Sequence, residues 1–227
     1  MKILTLSGWG QPHDALADIA PNATHFDYAD YETIDAALTG IAEEAKKHDA
    51  IIGWSLGGQL AVRAIATGLM QPKKLILIGV PFQFVRNDNL KMGMPRDQFD
   101  KFRDNYAKNA PKTLKKAWEL IIIGDKSSEY IKNRLENYNN TVVMEKNWLH
   151  WLDMLDGFSC NELDFANFPA SLLLHGEQDA VVNHAQSVEF IKTIPQAKCI
   201  SFPNAGHAPH WHDSELVKLH IKEYLHV

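Results

Sequence analysis

Ser55 stands in the stretch "IIGWSLGGQLAV" (51–62), with glycines at −2, +2 and +3. Glycine weakens both a strand and a helix, so three of them around one serine need a reason. The stretch passes from an apolar run into residues with helical spacing, which places Ser55 at a strand-to-helix turn. Such a turn has a strained apex where bulky neighbours collide, and small residues at −2 and +2 remove the collision. The pattern Gly53-Trp54-Ser55-Leu56-Gly57 therefore reads as a nucleophile elbow, with Gly58 letting helix and strand pack closely. An ordinary βα turn with an N-cap serine is the competing reading. A phosphate loop fits poorly, because the stretch matches neither G-x-x-x-x-G-K-[ST] nor G-x-G-x-x-G.

A serine hydroxyl is a poor nucleophile until a base removes its proton, so the elbow demands a histidine and an orienting acid further along. "LLLHGEQDAVV" (172–182) ends a predicted strand and supplies Asp179 in the loop after it, with Glu177 as a rival acid. "FPNAGHAPHWHD" (202–213) follows the last predicted strand and supplies His207, with His210 and His212 as rivals that could instead decorate the rim or begin the last helix. Gly206 would give the His207 imidazole room to swing toward Ser55. His175, inside a predicted buried strand, reads as a hydrogen-bonded core histidine. Acyl transfer also needs donors for a tetrahedral oxyanion. The backbone N–H groups of Leu56, at the head of the helix, and of Trp9, in the glycine-rich loop "LSGWGQP" (6–12), are the candidates. A metal is the other use for a histidine cluster such as "HAPHWH", but no H-E-x-x-H pattern accompanies it, so neither a metal nor a cofactor is expected.

The elements that would position these residues follow a strand–helix rhythm. Strands are predicted at 2–6, 24–28, 49–53, 74–79, 170–176 and 198–203, and helices at about 32–47, 57–69, 183–194 and 213–226. That alternation predicts an α/β fold, a doubly wound parallel sheet with helices on both faces. Between residues 82 and 168 the rhythm gives way to helix-like segments at roughly 95–109, 111–124, 127–140 and 144–156. The chain is therefore expected to form a core of 1–81 and 169–227 with a helical lid, 82–168, inserted in it.

Composition sets outer bounds. With 227 residues, 45% of them apolar and 22% charged, the chain suits one compact domain, expected to act as a monomer. No stretch has the length of a secretory signal core or a membrane span, so a soluble cytoplasmic protein is expected. Cys160 and Cys199 are then expected to be free thiols. A formal charge of −5 argues against nucleic-acid binding.

In their order along the chain, "SGWG", "GWSLGGQLA", "HGEQDAVV" and "AGHAPHWHDSE" resemble the α/β-hydrolase superfamily over essentially the whole length. Within it, "GWG", "GWSLGG" and "GHAP" are most similar to the esterases that cleave the methyl ester of pimeloyl-[acyl-carrier protein] in biotin synthesis. The resemblance implies a triad of Ser55, Asp179 and His207, with Trp9 and Leu56 donating to the oxyanion. Two features depart from the pattern. Ser7 stands where these proteins usually carry the histidine of a His-Gly pair, and the usual first antiparallel hairpin is missing, which implies a minimal, all-parallel six-stranded sheet.

The resemblance also implies a substrate borne on acyl carrier protein, a strongly acidic partner. Residues 82–150 carry 13 Lys/Arg against 9 Asp/Glu, about +4, while the remainder carries −9. A basic lid on an acidic body would steer such a carrier to the pocket mouth, although solvated helix faces commonly bear lysine for no such reason. Aromatics at 99, 102, 106, 118, 138, 148 and 151 divide between packing the lid and lining an acyl channel. Triad geometry alone does not choose the scissile bond, so a short-chain carboxylesterase, a thioesterase, a C–C bond hydrolase or a cofactor-free haloperoxidase remain alternatives. A non-catalytic binding protein would be expected to have lost one of the three triad residues, and all three are present.

Overall fold

The computed structural model describes residues 1–137 and 146–226. Six strands carry the architecture: β1 (Ile3–Leu6), β2 (Thr24–Phe26), β3 (Ala50–Trp54), β4 (Lys74–Ile78), β5 (Ser171–Gly176) and β6 (Lys198–Phe202). They form one sheet in the order β2-β1-β3-β4-β5-β6, and every pairing is parallel. Parallel neighbours require crossovers, which is where the helices fall. α1 (Ile34–Ala45) leads into β3, α2 (Leu56–Ala66) into β4 and α7 (Ala185–Thr193) into β6. A one-turn helix α8 (Pro209–His212) and α9 (Ser214–His226) follow the sheet. β3 and β5 are buried along their whole length, and β4 except for Lys74. Since alternate strand residues face opposite ways, such burial needs cover on both faces.

Among the described residues, four α-helices lie in the interval between β4 and β5: α3 (Arg96–Lys108), α4 (Ala110–Ile122), α5 (Ser128–Asn137) and α6 (Leu149–Asp156). α4 is amphipathic by sequence and by burial. Leu114, Trp118 and Ile121 are buried on one side, while Lys112, Lys115 and Lys116 are exposed on the other. Asn109 caps α4 by accepting from the Lys112 N–H, and Pro111 sits in the first turn, where its missing N–H costs nothing. Arg96 pairs with Asp156 at 2.6 Å and Arg103 with Asp153 at 2.5 Å, tying α3 to α6.

Predicted and observed strands agree within two residues at every end. Of the segment predicted at 144–156, the described residues are helical from Leu149; just before it the Trp148 N–H donates to the Tyr106 hydroxyl and the Leu149 N–H to the Asn147 side chain. The end of the segment predicted at 127–140, the start of that at 144–156, and Tyr138 lie outside the described residues. α8 has no counterpart among the predicted helices; Pro209 starts it and Asp213 separates it from α9. Cys160 and Cys199 are free thiols. Among the described residues, no helix is long and apolar enough to cross a membrane.

Candidate active site

An all-parallel sheet gathers the carboxyl ends of its strands along one edge, and ligand sites in open α/β sheets form there. The loops after β1, β3, β5 and β6 carry Trp9, Ser55, Asp179 and His207 to that edge. Ser55 has φ 51° and ψ −120°, a conformation L-residues rarely adopt, and a segment of sheet and helix holds it there. Its N–H donates to the Ile78 carbonyl at 2.9 Å, and its carbonyl accepts from Gln59 N–H at 3.0 Å. The glycines are explained by what a Cβ would meet. At Gly53 it would stand 2.3 Å from the Gly58 Cα, at Gly57 2.3 Å from the Leu6 carbonyl oxygen, and at Gly58 2.2 Å from a Val80 methyl. The competing N-cap role is not filled, since the Ser55 side chain makes no capping bond to α2.

Asp179 lies in the loop after β5 with its side chain fully buried. One carboxylate oxygen accepts the N–H groups of Val181 and Val182, both at 2.8 Å. The other accepts from His207 Nδ1 at 2.7 Å and lies 3.2 Å from His175 Nε2. Burial alone would raise the carboxyl pKa. The neighbouring charge of His207 and the hydrogen bonds from His175 and His207 outweigh it and hold the group well below the usual carboxylate range. A carboxylate only accepts, so the proton of the His207–Asp179 bond sits on Nδ1 and the lone pair of the imidazole is on Nε2. Glu177 is exposed.

Ser55 and His207 line one cavity of about 60 Å³ together with Gly8, Trp9, Trp54, Val181 and apolar side chains of the inserted helices, among them Phe102, Leu120 and Leu155. The only titratable group among its lining residues is His207. The loop after β1 reaches the site closely: a Cβ on Gly8 would lie 3.5 Å from the Ser55 Cβ. Tyr28 holds that loop by donating from its hydroxyl to the Ser7 carbonyl at 2.8 Å. The Trp9 indole packs edge-on against Phe102, Tyr106 and Trp148 and donates to the Trp148 carbonyl at 2.9 Å. The Leu56 N–H heads α2, where no intrahelical carbonyl precedes it.

The other histidines differ from expectation. His210 is not on a rim; it is wholly buried against Trp54, ring centroids 4.6 Å apart, and neither ring nitrogen has a hydrogen-bond partner among the described residues. Burial, aided by the charges of Arg134 and His207, holds it well below the ordinary histidine pKa. His212 does not begin the last helix but donates from Nδ1 to Asp125 at 2.7 Å. His175 bonds the Val182 carbonyl at 3.0 Å as a core histidine would, and in addition touches Asp179. Thus the cluster "HAPHWH" sends its three rings in different directions. Among the described residues, no group of three or more His, Cys, Asp or Glu could hold one metal ion. At Gly206 a Cβ would stand 2.7 Å from Ile121 O, so glycine there makes room for a carbonyl of the inserted helices. Asp125 escapes sequence reasoning, because "GDKSS" after a helix carries no signal beyond a turn.

Elbow, buried acid–histidine pair and six-stranded parallel sheet together define a hydrolase of the α/β type, and the chain belongs to the α/β-hydrolase family, whose model matches residues 3–219. Among curated relatives, the pimeloyl-[acyl-carrier protein] methyl ester esterase of Nitrosomonas europaea is 26% identical over 183 residues, covering 78% of this chain and 71% of its own. Among solved structures, an esterase from Exiguobacterium antarcticum superposes with a TM-score of 0.86 at 17% identity, over 100% of this chain and 92% of the other. A bromoperoxidase from Bacillus anthracis gives 0.84 at 14% identity, over 100% and 92%. Two such different activities at nearly equal likeness mean that the fold leaves the reaction open.

Proposed function

We propose that the chain is a serine carboxylesterase with Ser55 as nucleophile, His207 as base and Asp179 as the acid that orients it. The observation that carries this reading is the buried 2.7 Å bond from His207 Nδ1 to Asp179, on a histidine that lines the same cavity as the elbow serine. Ser55 Oγ attacks the ester carbonyl as its proton passes to His207 Nε2. The carbonyl oxygen becomes an oxyanion received by the N–H groups of Leu56 and Trp9. The tetrahedral species collapses, the alcohol leaves with the proton from Nε2, and Ser55 is left acylated. Water then gives its proton to Nε2 and attacks the acyl carbon; collapse returns the proton to Ser55 Oγ and frees the acid. Residues 82–168 act as the lid that supplies the apolar wall.

As substrate we propose the methyl ester of pimeloyl-[acyl-carrier protein], on the strength of the relative from Nitrosomonas europaea and of a lining without a cation, which suits a neutral polymethylene ester. The charge argument for a carrier narrows. The four acidic residues of 151–168 cancel the +4 of 82–150. Arg96, Arg103, Arg134 and Lys146 are tied up in ion pairs. Arg86, Lys108, Lys112, Lys115, Lys116 and Lys126 are exposed and have no ion pair with a described acidic group, and Lys112, Lys115 and Lys116, together on one side of α4, are the docking candidates. A cavity of only about 60 Å³ favours a second reading, a short-chain carboxylesterase acting on free esters.

One comparison separates the two. Changing Lys112, Lys115 and Lys116 together to Glu should lower kcat/KM for the carrier-bound methyl ester at least tenfold at low salt, with less effect at high salt, while p-nitrophenyl butyrate hydrolysis stays within twofold. Failure of the wild type to cleave the carrier-bound ester, with good turnover of p-nitrophenyl butyrate, would leave the short-chain reading standing.

A further inference from the structure

The loop that carries His207 is fastened to the inserted helices as well as to the sheet. His207 N–H donates to the Ile121 carbonyl at the end of α4, and Lys126 N–H donates to Asn204 O at 3.0 Å. Between these two bonds lies Asp125, whose carboxylate is fully buried. Its Oδ2 accepts from Gly206 N–H at 2.7 Å, the peptide group immediately before His207. Its Oδ1 accepts from Ser127 N–H at 2.7 Å and from His212 Nδ1 at 2.7 Å. The Ser127 hydroxyl donates onward to the His212 carbonyl at 3.4 Å. The same turn reaches the loop of the acid: Gly124 has φ +77°, and a Cβ there would stand 2.9 Å from the Gln178 Cβ, next to Asp179.

We infer that Asp125 and His212 are a positioning pair for His207: the lid carboxylate holds the Gly206 peptide from one side, and His212, one short helix further on, holds the carboxylate. This rests on the esterase reading, since it assigns the pair a role only through the base. A buried carboxylate with three donors is stiff, and an imidazole one peptide away inherits that stiffness. Misplacing a reacting group by about 1 Å costs on the order of a hundredfold in rate. His212 therefore acts on turnover without touching substrate, and its Nδ1, the atom facing an acceptor-only group, carries the proton.

The test uses the full chain, with p-nitrophenyl butyrate as substrate and a small fluorophosphonate as a probe of Ser55 reactivity. Asp125→Asn and His212→Ala should each lower kcat about 10- to 100-fold with KM within threefold, and slow phosphonylation of Ser55 in parallel. His212→Asn places an amide nitrogen the same three bonds from Cα as Nδ1, and should recover kcat to within about threefold of wild type. His212→Ala at wild-type kcat would overturn the inference, as would His212→Asn being as impaired as His212→Ala, because the loss would then come from packing rather than the hydrogen bond. Should Asp125→Asn fail to fold, the two His212 variants decide the matter by themselves. Ser55→Ala run alongside keeps the two readings apart: an active Ser55→Ala sinks the esterase reading, whereas an inactive one beside a fully active His212→Ala sinks only the positioning pair.

Discussion

Around Ser55 backbone meets backbone, and around Trp9 in the inserted helices side chain meets side chain. In the elbow, Gly53 packs on Gly58 and Gly57 on the carbonyls of Leu6 and Ser7, with spaces that no Cβ can enter. At the inserted helices, Trp9 lies among Phe102, Tyr106 and Trp148, and part-exposed ion pairs such as Arg103–Asp153 join the helices. Backbone packing tolerates one residue type, so it leaves a signature in the sequence and fixes an atom for chemistry. Side-chain packing accepts many substitutions of similar volume, so it leaves little signature and suits a wall that can be reshaped for different substrates.

The sharpest way to break this contrast is at the core side of the site. Ser55→Ala should lower p-nitrophenyl butyrate turnover by several orders of magnitude. Asp179→Asn should cost roughly four orders, because the amide favours the wrong imidazole tautomer. Glu177→Gln, on an exposed side chain, should stay within about twofold. The reverse ranking of the two acids in this steady-state assay would remove Asp179 from its assigned role.

Stability offers the next contrast. Gly57→Ala drives a methyl into two carbonyl oxygens and should cost about 3 kcal/mol or more in urea unfolding. Gly68→Ala, with φ +73° but open space around it, should cost only about 1 kcal/mol. Equal losses at the two positions would mean that backbone contact at the elbow is not what makes glycine necessary there.

His210 gives an intermediate effect with a definite sign. It is buried with no hydrogen-bond partner among the described residues and its pKa is lowered, so in the folded state it stays neutral while the unfolded chain takes up a proton near pH 6.5. The unfolded state thus binds more protons below that pH, and stability falls as pH drops, by up to about 1.4 kcal/mol per unit. His210→Phe should fill the same space, match or exceed wild-type stability at pH 7 by about 1 kcal/mol, and flatten the decline between pH 6.5 and 5. An unchanged slope in chemical denaturation would show that another group titrates there. The smallest effect belongs to the surface of the inserted helices: Arg103→Ala should change stability by less than about 1 kcal/mol, as both partners are roughly half exposed.

Residues under backbone constraint are legible in the linear sequence. β3, β4 and β5 are legible because parallel strands buried on both faces are apolar runs, the edge strands β2 and β6 leave a weaker pattern, and Ser55 stands out because its glycines have no other physical reason. Asp179 and His207 follow from chain order, each in a loop after a strand. What sequence does not supply is partnership across long separations. Asp125 and His212 lie 87 positions apart, and His175 meets Asp179 only because the loop after β5 folds back on its strand. Nor does it tell that a Cβ on Gly206 would meet Ile121 O, that His210 is sealed against Trp54, or that Arg96, Arg103 and Arg134 of the inserted helices face acids while Lys112, Lys115 and Lys116 face none among the described residues. Local sterics are written residue by residue and survive in a linear reading. Hydrogen bonds and ion pairs between distant side chains exist only once the sheet has brought its strand ends together, so the sequence determined the frame and nominated the candidate reacting groups, and the tertiary structure decided what surrounds and holds them.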